Sequence, residues 1–199
     1  MSCLNDLLIS KVRVKVLELF YNNPDEMYYV REITRLVKEE INAVRRELDR
    51  MLGCGLLKSE QRANRLYYYL NKRYLYHQEL QRIVAKSTGL GKKIRRYRRK
   101  LGSLSFVMFS GNFVAHRQAR KDELDVLVVG DVVLSELEQM IKAEEKEQDR
   151  EINYAVLSDE EFEFRKTRRD PFVMEVLYNV RVMIIGDENE FCRRELPVS

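Results

Sequence analysis

The sequence predicts an α+β chain with an N-terminal helical unit closed by a hairpin (residues 1–73), a helical linker (74–100) and a C-terminal α/β domain (101–199). Three observations carry that expectation. Apolar residues recur at helical spacing as far as Met51 and then give way to two short strand-like runs. From Leu104 strands interleave with helices, the layout of an α/β or α+β domain. The charge also changes sign near the middle: residues 1–100 hold 23 Lys and Arg against 11 Asp and Glu, net +12, and residues 101–199 hold 13 against 21, net −8. A basic half suits a polyanion, and an acidic half would be repelled by one.

In the basic half, Ser10 caps a helix whose Val12, Val16, Leu19 and Phe20 form one apolar stripe, and Asn22-Asn23-Pro24-Asp25 stops it. The extended Met27-Tyr28-Tyr29 leads into a short second helix with Val30, Ile33, Leu36 and Val37 inward. Lys38-Glu39-Glu40 turns the chain into a third helix, which buries Ile41, Val44, Leu48 and Met51 and ends at Gly53 and Gly55. Asn42, Arg45, Arg46, Asp49 and Arg50 occupy its opposite side, the residue types a helix needs to touch phosphates and base edges in a major groove. Leu56–Gln61 and Arg65–Leu70 are two strands around Arg62-Ala63-Asn64, a hairpin with a basic tip.

That order of elements resembles the winged-helix DNA-binding domains of prokaryotic repressors of the ArsR/MarR kind, over roughly residues 8–73. Tyr29-Val30-Arg31-Glu32-Ile33 looks like the family's second helix, Asn42 to Leu48 like its recognition helix, and Gly55-Leu56-Leu57 like the start of the wing. The resemblance implies double-stranded DNA as partner, with Asn42, Arg45, Arg46 and Arg50 on the recognition helix and Arg62 and Arg65 on the wing. A homodimer is expected, since palindromic sites mirror a two-fold axis. Its candidate seam is Leu80, Ile83 and Val84, on a helix running from Tyr74 to Thr88. Gly89-Leu90-Gly91 interrupts, and Lys92 to Lys100 then packs seven basic residues into nine, suited to gripping phosphates or to neutralising the acidic half.

In the acidic half, Ser105–Phe109 and Leu124–Val129 read as strands and Leu134–Lys146 as a helix. Ile152–Leu157 is a third strand, Ser158 caps a further helix with Glu161 three residues on, and Val182–Ile185 closes the domain. Ser110-Gly111, followed by Glu123-Leu124-Asp125 on the second strand, makes this layout similar to the minimal nucleotidyltransferase domain. That family carries Gly-Ser and then Asp-x-Asp, whose carboxylates face the same way along a strand and bind divalent metals. Here the order is Ser-Gly, Glu123 stands for the first Asp, and Asn153 offers no third carboxylate. A vestigial motif of Ser110, Gly111, Glu123 and Asp125 is therefore expected, with no catalysis, no metal and no cofactor.

Cys3, Cys54 and Cys192 are too scattered for a disulfide framework, and His77 and His116 do not stand near them at zinc spacing. Cys54, between two glycines, is expected to pack at a turn. The longest uncharged run, Leu101 to His116, is too short to span a membrane, and the first residues show no secretory signal, so a cytoplasmic location is expected. Phosphate-loop, dinucleotide-turn and nucleophile-elbow motifs are absent. The reading is a DNA-binding transcriptional regulator, compatible with a small-molecule or nucleotide effector. The alternatives are a metal-dependent nucleotidyltransferase anchored to nucleic acid by its winged helix, and a protein-binding adaptor.

Overall fold

A computed structural model describes residues 10–117 and 123–193, so Cys3 and Asp122 lie outside it. The chain is mixed α+β, with two sheets in two compact units, residues 1–87 and 88–199. Among the described residues no helix is long and apolar enough to cross a membrane.

In the first unit, α1 (Lys11–Asn22) starts where the Ser10 hydroxyl accepts from the Arg13 N–H at 3.2 Å. It buries Val14, Val16, Leu17, Phe20 and Tyr21, while Val12 and Leu19 are only partly covered. The single stripe expected from the sequence is too narrow because α1 is flanked on several sides, by α2 (Val30–Val37), α3 (Ile41–Gly53) and α4 (His77–Ser87). On α2, Ile33 and Val37 are buried but Leu36 is 47% exposed, a correction to the expected inward face. That helix ends where Lys38 adopts a left-handed conformation, with φ of 54°. Val44, Leu48 and Met51 of α3 enter the core, joined by Glu47.

Strand β1 (Met27–Tyr29) pairs with β3 (Arg65–Leu70), which pairs with β2 (Leu57–Arg62), all antiparallel. Leu57, Tyr68 and Leu70 anchor the base of the hairpin in the core, whereas residues 58–66 are exposed throughout. Beyond the Ser59–Tyr68 pair the hairpin therefore leaves its own core behind. Leu80 and Val84 of α4 pack on the same core, leaving Ile83 39% exposed, so most of the expected dimer seam is already covered within one chain.

The stretch 74–100 is divided between the units, α4 belonging to the first and α5 (Gly89–Arg96) to the second. The break between the two helices falls at Thr88, and Gly89, the first residue of α5, keeps a left-handed φ of 46°, so the expected interruption is found at the first of its glycines. Gly91 lies inside α5, where Leu90 and Ile94, one turn apart, are both buried. Packing of that pair outweighs the poor helix propensity of Gly91.

The second unit has a sheet in the order β6 (Tyr154–Leu157), β5 (Val126–Val132), β4 (Gly102–Ser110), β7 (Arg181–Ile185). Only the β5–β6 pair is parallel. Gly130 is required where β4 bulges, because a Cβ on it would lie 2.2 Å from the Ser103 carbonyl. Met108, Leu127, Val129 and Met183 pack with α8 (Asp159–Thr167), α9 (Pro171–Tyr178) and α10 (Glu188–Cys192) through Phe162, Val173, Val176 and Phe191. On the opposite face Val107 and Val128 meet Ile94 of α5 and Leu137 of α7 (Leu134–Gln148). The short α6 (Gly111–Val114) follows β4 directly.

Candidate nucleic-acid interface and a buried carboxylate

The polar side of α3 begins at its cap. Both oxygens of Glu40 accept from the first turn, from the N–H of Asn42 at 2.8 Å and of Ala43 at 2.9 Å. These hydrogen bonds, and then the charges of Arg46 and Arg45, hold the Glu40 carboxyl below its ordinary pKa. Beyond the cap, Asn42, Arg45, Arg46 and Asp49 recur at three- and four-residue spacing and are all exposed. Among the described residues, neither Arg45 nor Arg46 forms a salt bridge.

Arg50 stands differently. Its guanidinium donates to Glu47 at 3.0 Å, and Arg13 of α1 donates to the other oxygen at 2.9 Å. Burial works against the Glu47 charge, but hydrogen bonds from Arg13 and Ser10 and the charges of Arg13 and Arg50 hold its pKa below the usual value. Arg50 thus serves the carboxylate that ties α3 to α1. Glu47 lies on the boundary between core and polar face, where spacing alone reads it as solvated.

On the hairpin, Arg62 is engaged by Glu60 at 3.0 Å, both side chains being about half exposed. Arg65 lies over the ring of Tyr29, 4.6 Å from its centroid, and that ring meets Tyr67 edge-on at 5.7 Å. The outward face of the sheet therefore combines aromatic rings with cations. Alternation along β3 was the available signal for it, since Tyr67 and Tyr69 point away from the face that buries Tyr68 and Leu70.

In the second unit, Glu123 and Asp125 share a hydrogen-bond network through Asn153, which the Ser110 N–H joins by donating to the Asp125 carbonyl at 2.8 Å, while Gly111 bonds elsewhere. The strand starts only at Val126, so Glu123 and Asp125 precede it instead of sharing a strand face. Asp125 is 1% exposed. One of its oxygens accepts from Arg150 at 2.9 Å and the other from the Asn153 N–H at 3.0 Å. The Glu123 carboxylate accepts from the Asn112 amide at 3.2 Å, and its carbonyl accepts from the Asn153 side chain at 3.0 Å. Ser110 caps α6, accepting from the Phe113 N–H at 3.1 Å, and Gly111 donates its N–H to Val180 at 2.7 Å.

Arg150 was not legible in the sequence; it follows α7 beyond a left-handed Asp149 and reaches back 25 residues. Its guanidinium also lies over Phe113 at 5.1 Å and donates to the Arg117 carbonyl at 3.1 Å. Both Asp125 oxygens are thus committed to internal donors, and the cation beside them is supplied by the chain. This donor set does not fit a pair of divalent metals. Cys54 is exposed instead of packed at its turn, and the Cys192 sulfur accepts from Arg181 at 2.9 Å.

No family model and no curated protein matches the chain. Among solved structures, a possible transcriptional regulator from Methanosarcina mazei Go1 is similar over 47% of this chain and 80% of its own, with 15% identity and a TM-score of 0.33, too low to carry an argument about fold or function.

Proposed function

We propose that the chain is a DNA-binding transcriptional regulator of the prokaryotic winged-helix type. In this reading α3 is the recognition helix, the β2–β3 hairpin is the wing, and residues 1–73 form the DNA-binding module. Residues 101–199 are a nucleotidyltransferase-like domain without catalysis. The observation that carries the reading is the exposed row Asn42, Arg45, Arg46, whose arginines have no salt-bridge partner among the described residues, on the same unit as a hairpin exposed from Lys58 to Leu66. Cations already neutralised within the protein release few counterions from a duplex; unneutralised ones on a helix face do so.

The protein acts as a homodimer on duplex DNA, and a regulator of this kind works in the cytoplasm, beside the chromosome. Loss of nucleotidyl transfer is supported by the internal pairing of Asp125 with Arg150. Phosphoryl chemistry of that class rests on positioned metals, and a carboxylate held by an arginine is not available to hold them.

The test is selection of bound fragments from random duplex DNA with the full chain, followed by titration of the winning site at several salt concentrations. Saturable binding is expected, with a slope of log K against log salt near −5 if about six phosphates are neutralised. Absence of duplex binding at low salt overturns the proposal. Label transfer from nucleoside triphosphates to any acceptor overturns the part concerning the second unit.

A further inference from the structure

The seven basic residues at Lys92–Lys100 are not used by the reading above, and the second unit gives four of them a setting of their own. Gly89, Lys92, Lys93, Arg96 and Lys100 lie along one stripe of α5 and the turn that follows it. Glu136, Gln139, Met140, Ala143 and Glu147 lie along one stripe of α7. Both stripes follow the helical period, and between them is a cleft of about 640 Å³. That volume falls within the range that accommodates small ligands.

The cleft is anchored from below. Glu144, only 3% exposed, accepts from Lys93 at 2.9 Å, and Glu147 accepts from the same ammonium at 2.9 Å. Burial disfavours the Lys93 charge, but hydrogen bonds and charge from the two glutamates raise its pKa. Gly89 belongs to the same anchor, since a Cβ there would lie 2.7 Å from the Glu144 carboxylate. With Lys93 committed to the scaffold, Lys92, Arg96 and Lys100 remain on the wall, and none has a salt-bridge partner among the described residues. The Tyr97 ring stands among them, with the Arg96 guanidinium 5.5 Å and the Lys100 ammonium 5.7 Å from its centroid.

We propose that this cleft binds a small phosphorylated ligand of the nucleoside polyphosphate class. Three cations, two of them one turn apart on α5 and the third in the turn after it, match a chain of phosphates, and Tyr97 with Met140 offers a surface for a planar base. Glu136 and Gln139 on the facing wall supply acceptors for hydroxyl or amino groups, which a plain inorganic anion lacks. Duplex DNA is the rival polyanion. It is disfavoured because the cations share their cleft with Glu136 and Glu147, and a convex duplex meets both walls. The proposal does not depend on DNA binding by the first unit.

The test is calorimetric titration of the full chain with ATP and with GTP, using pyrophosphate and adenosine as partial probes. One-to-one saturable binding of a nucleoside triphosphate is expected, weaker for both partial probes. The triple change Lys92→Gln, Arg96→Gln, Lys100→Gln is expected to weaken it by about tenfold or more, each lost charge-assisted bond being worth a large part of that factor. Ala143→Trp, which fills the cleft without altering a charge, is expected to do the same. Arg45→Ala with Arg46→Ala, which lie on the first unit, is expected to leave it unchanged, and a thermal melt of each variant verifies folding. The idea is overturned by absence of saturable binding up to about a millimolar. It is overturned equally by binding that survives Ala143→Trp or falls as far in the Arg45, Arg46 variant. Loss of duplex affinity in the triple variant without any nucleotide binding would assign the row to DNA.

Discussion

Arg45 and Arg46 on α3 and Arg150 beside Asp125 carry the same guanidinium in opposite circumstances. The first two are exposed and form no salt bridge among the described residues; the third is 20% exposed, paired with a buried carboxylate at 2.9 Å and laid over Phe113. The difference teaches that net charge per half is a poor guide to function until internal pairs are subtracted. Arg13, Arg50 and Lys93 are all spent on carboxylates that hold helices together. Arg45 and Arg46 on one face of α3, and Lys92, Arg96 and Lys100 on one wall of the α5–α7 cleft, are among those left over.

The largest effect should come from breaking the buried member of this comparison. Asp125→Ala leaves the Arg150 cation without its partner and is expected to destabilise the second unit by about 3 kcal/mol, read from urea unfolding. Removing Arg150 as well should cost less than the two single changes summed, because no orphan charge remains. If Asp125→Ala is neutral, Arg150 is not a structural cation.

Next is the exposed member. Arg45→Ala with Arg46→Ala is expected to reduce specific duplex affinity by about a hundredfold while leaving the melting temperature within about a degree or two of the original. A large loss of stability in this variant would mean that those arginines are structural too, and the contrast between the regions would collapse.

Glu47→Gln sits between the two. Loss of the ionic hydrogen bonds from Arg13 and Arg50 should cost the first unit about 2 kcal/mol near neutral pH. The sign with pH follows from a folded-state pKa held below the ordinary 4.5. The stabilisation is fully present above the unfolded value and is lost as pH falls through the folded one, so the gap between wild type and Glu47→Gln should narrow under acid. A gap independent of pH would show that shape, not charge, matters at Glu47.

The smallest effect is expected at Arg62. Its pairing with Glu60 is half exposed, so Arg62→Ala should weaken duplex binding by no more than a few-fold and reduce the salt slope by about one or less. A loss as large as that of the α3 double variant would shift the centre of recognition to the hairpin.

Much of this architecture is legible in the residues themselves. The Ser10 and Ser158 caps, the hairpin around Ala63-Asn64 and the buried apolar strands of the second unit follow from local spacing and turn chemistry. Asp170-Pro171 carried an equally plain signal for α9, a capping aspartate followed by proline in the first turn, and it passes unnoticed when only apolar periodicity is followed. Other features are set by tertiary packing and have no local signature. Leu36 faces out and Val37 in because of what α2 packs against, and Glu47 is buried because Arg13 arrives from another helix. The polar face of α3 could be read because it is one helix; the partners of Asp125 could not, because Arg150 and Asn153 lie 25 and 28 residues away.

Arg65 resting on Tyr29 has a consequence for the timing of any encounter. A free arginine samples many rotamers and surrenders that freedom when a partner fixes it, at a cost of about 1 to 2 kcal/mol. Seated on the ring, the Arg65 side chain has already given up much of it during folding. A contact made by a pre-set side chain forms with less ordering, so its benefit appears as a slower departure of the partner more than as a faster arrival.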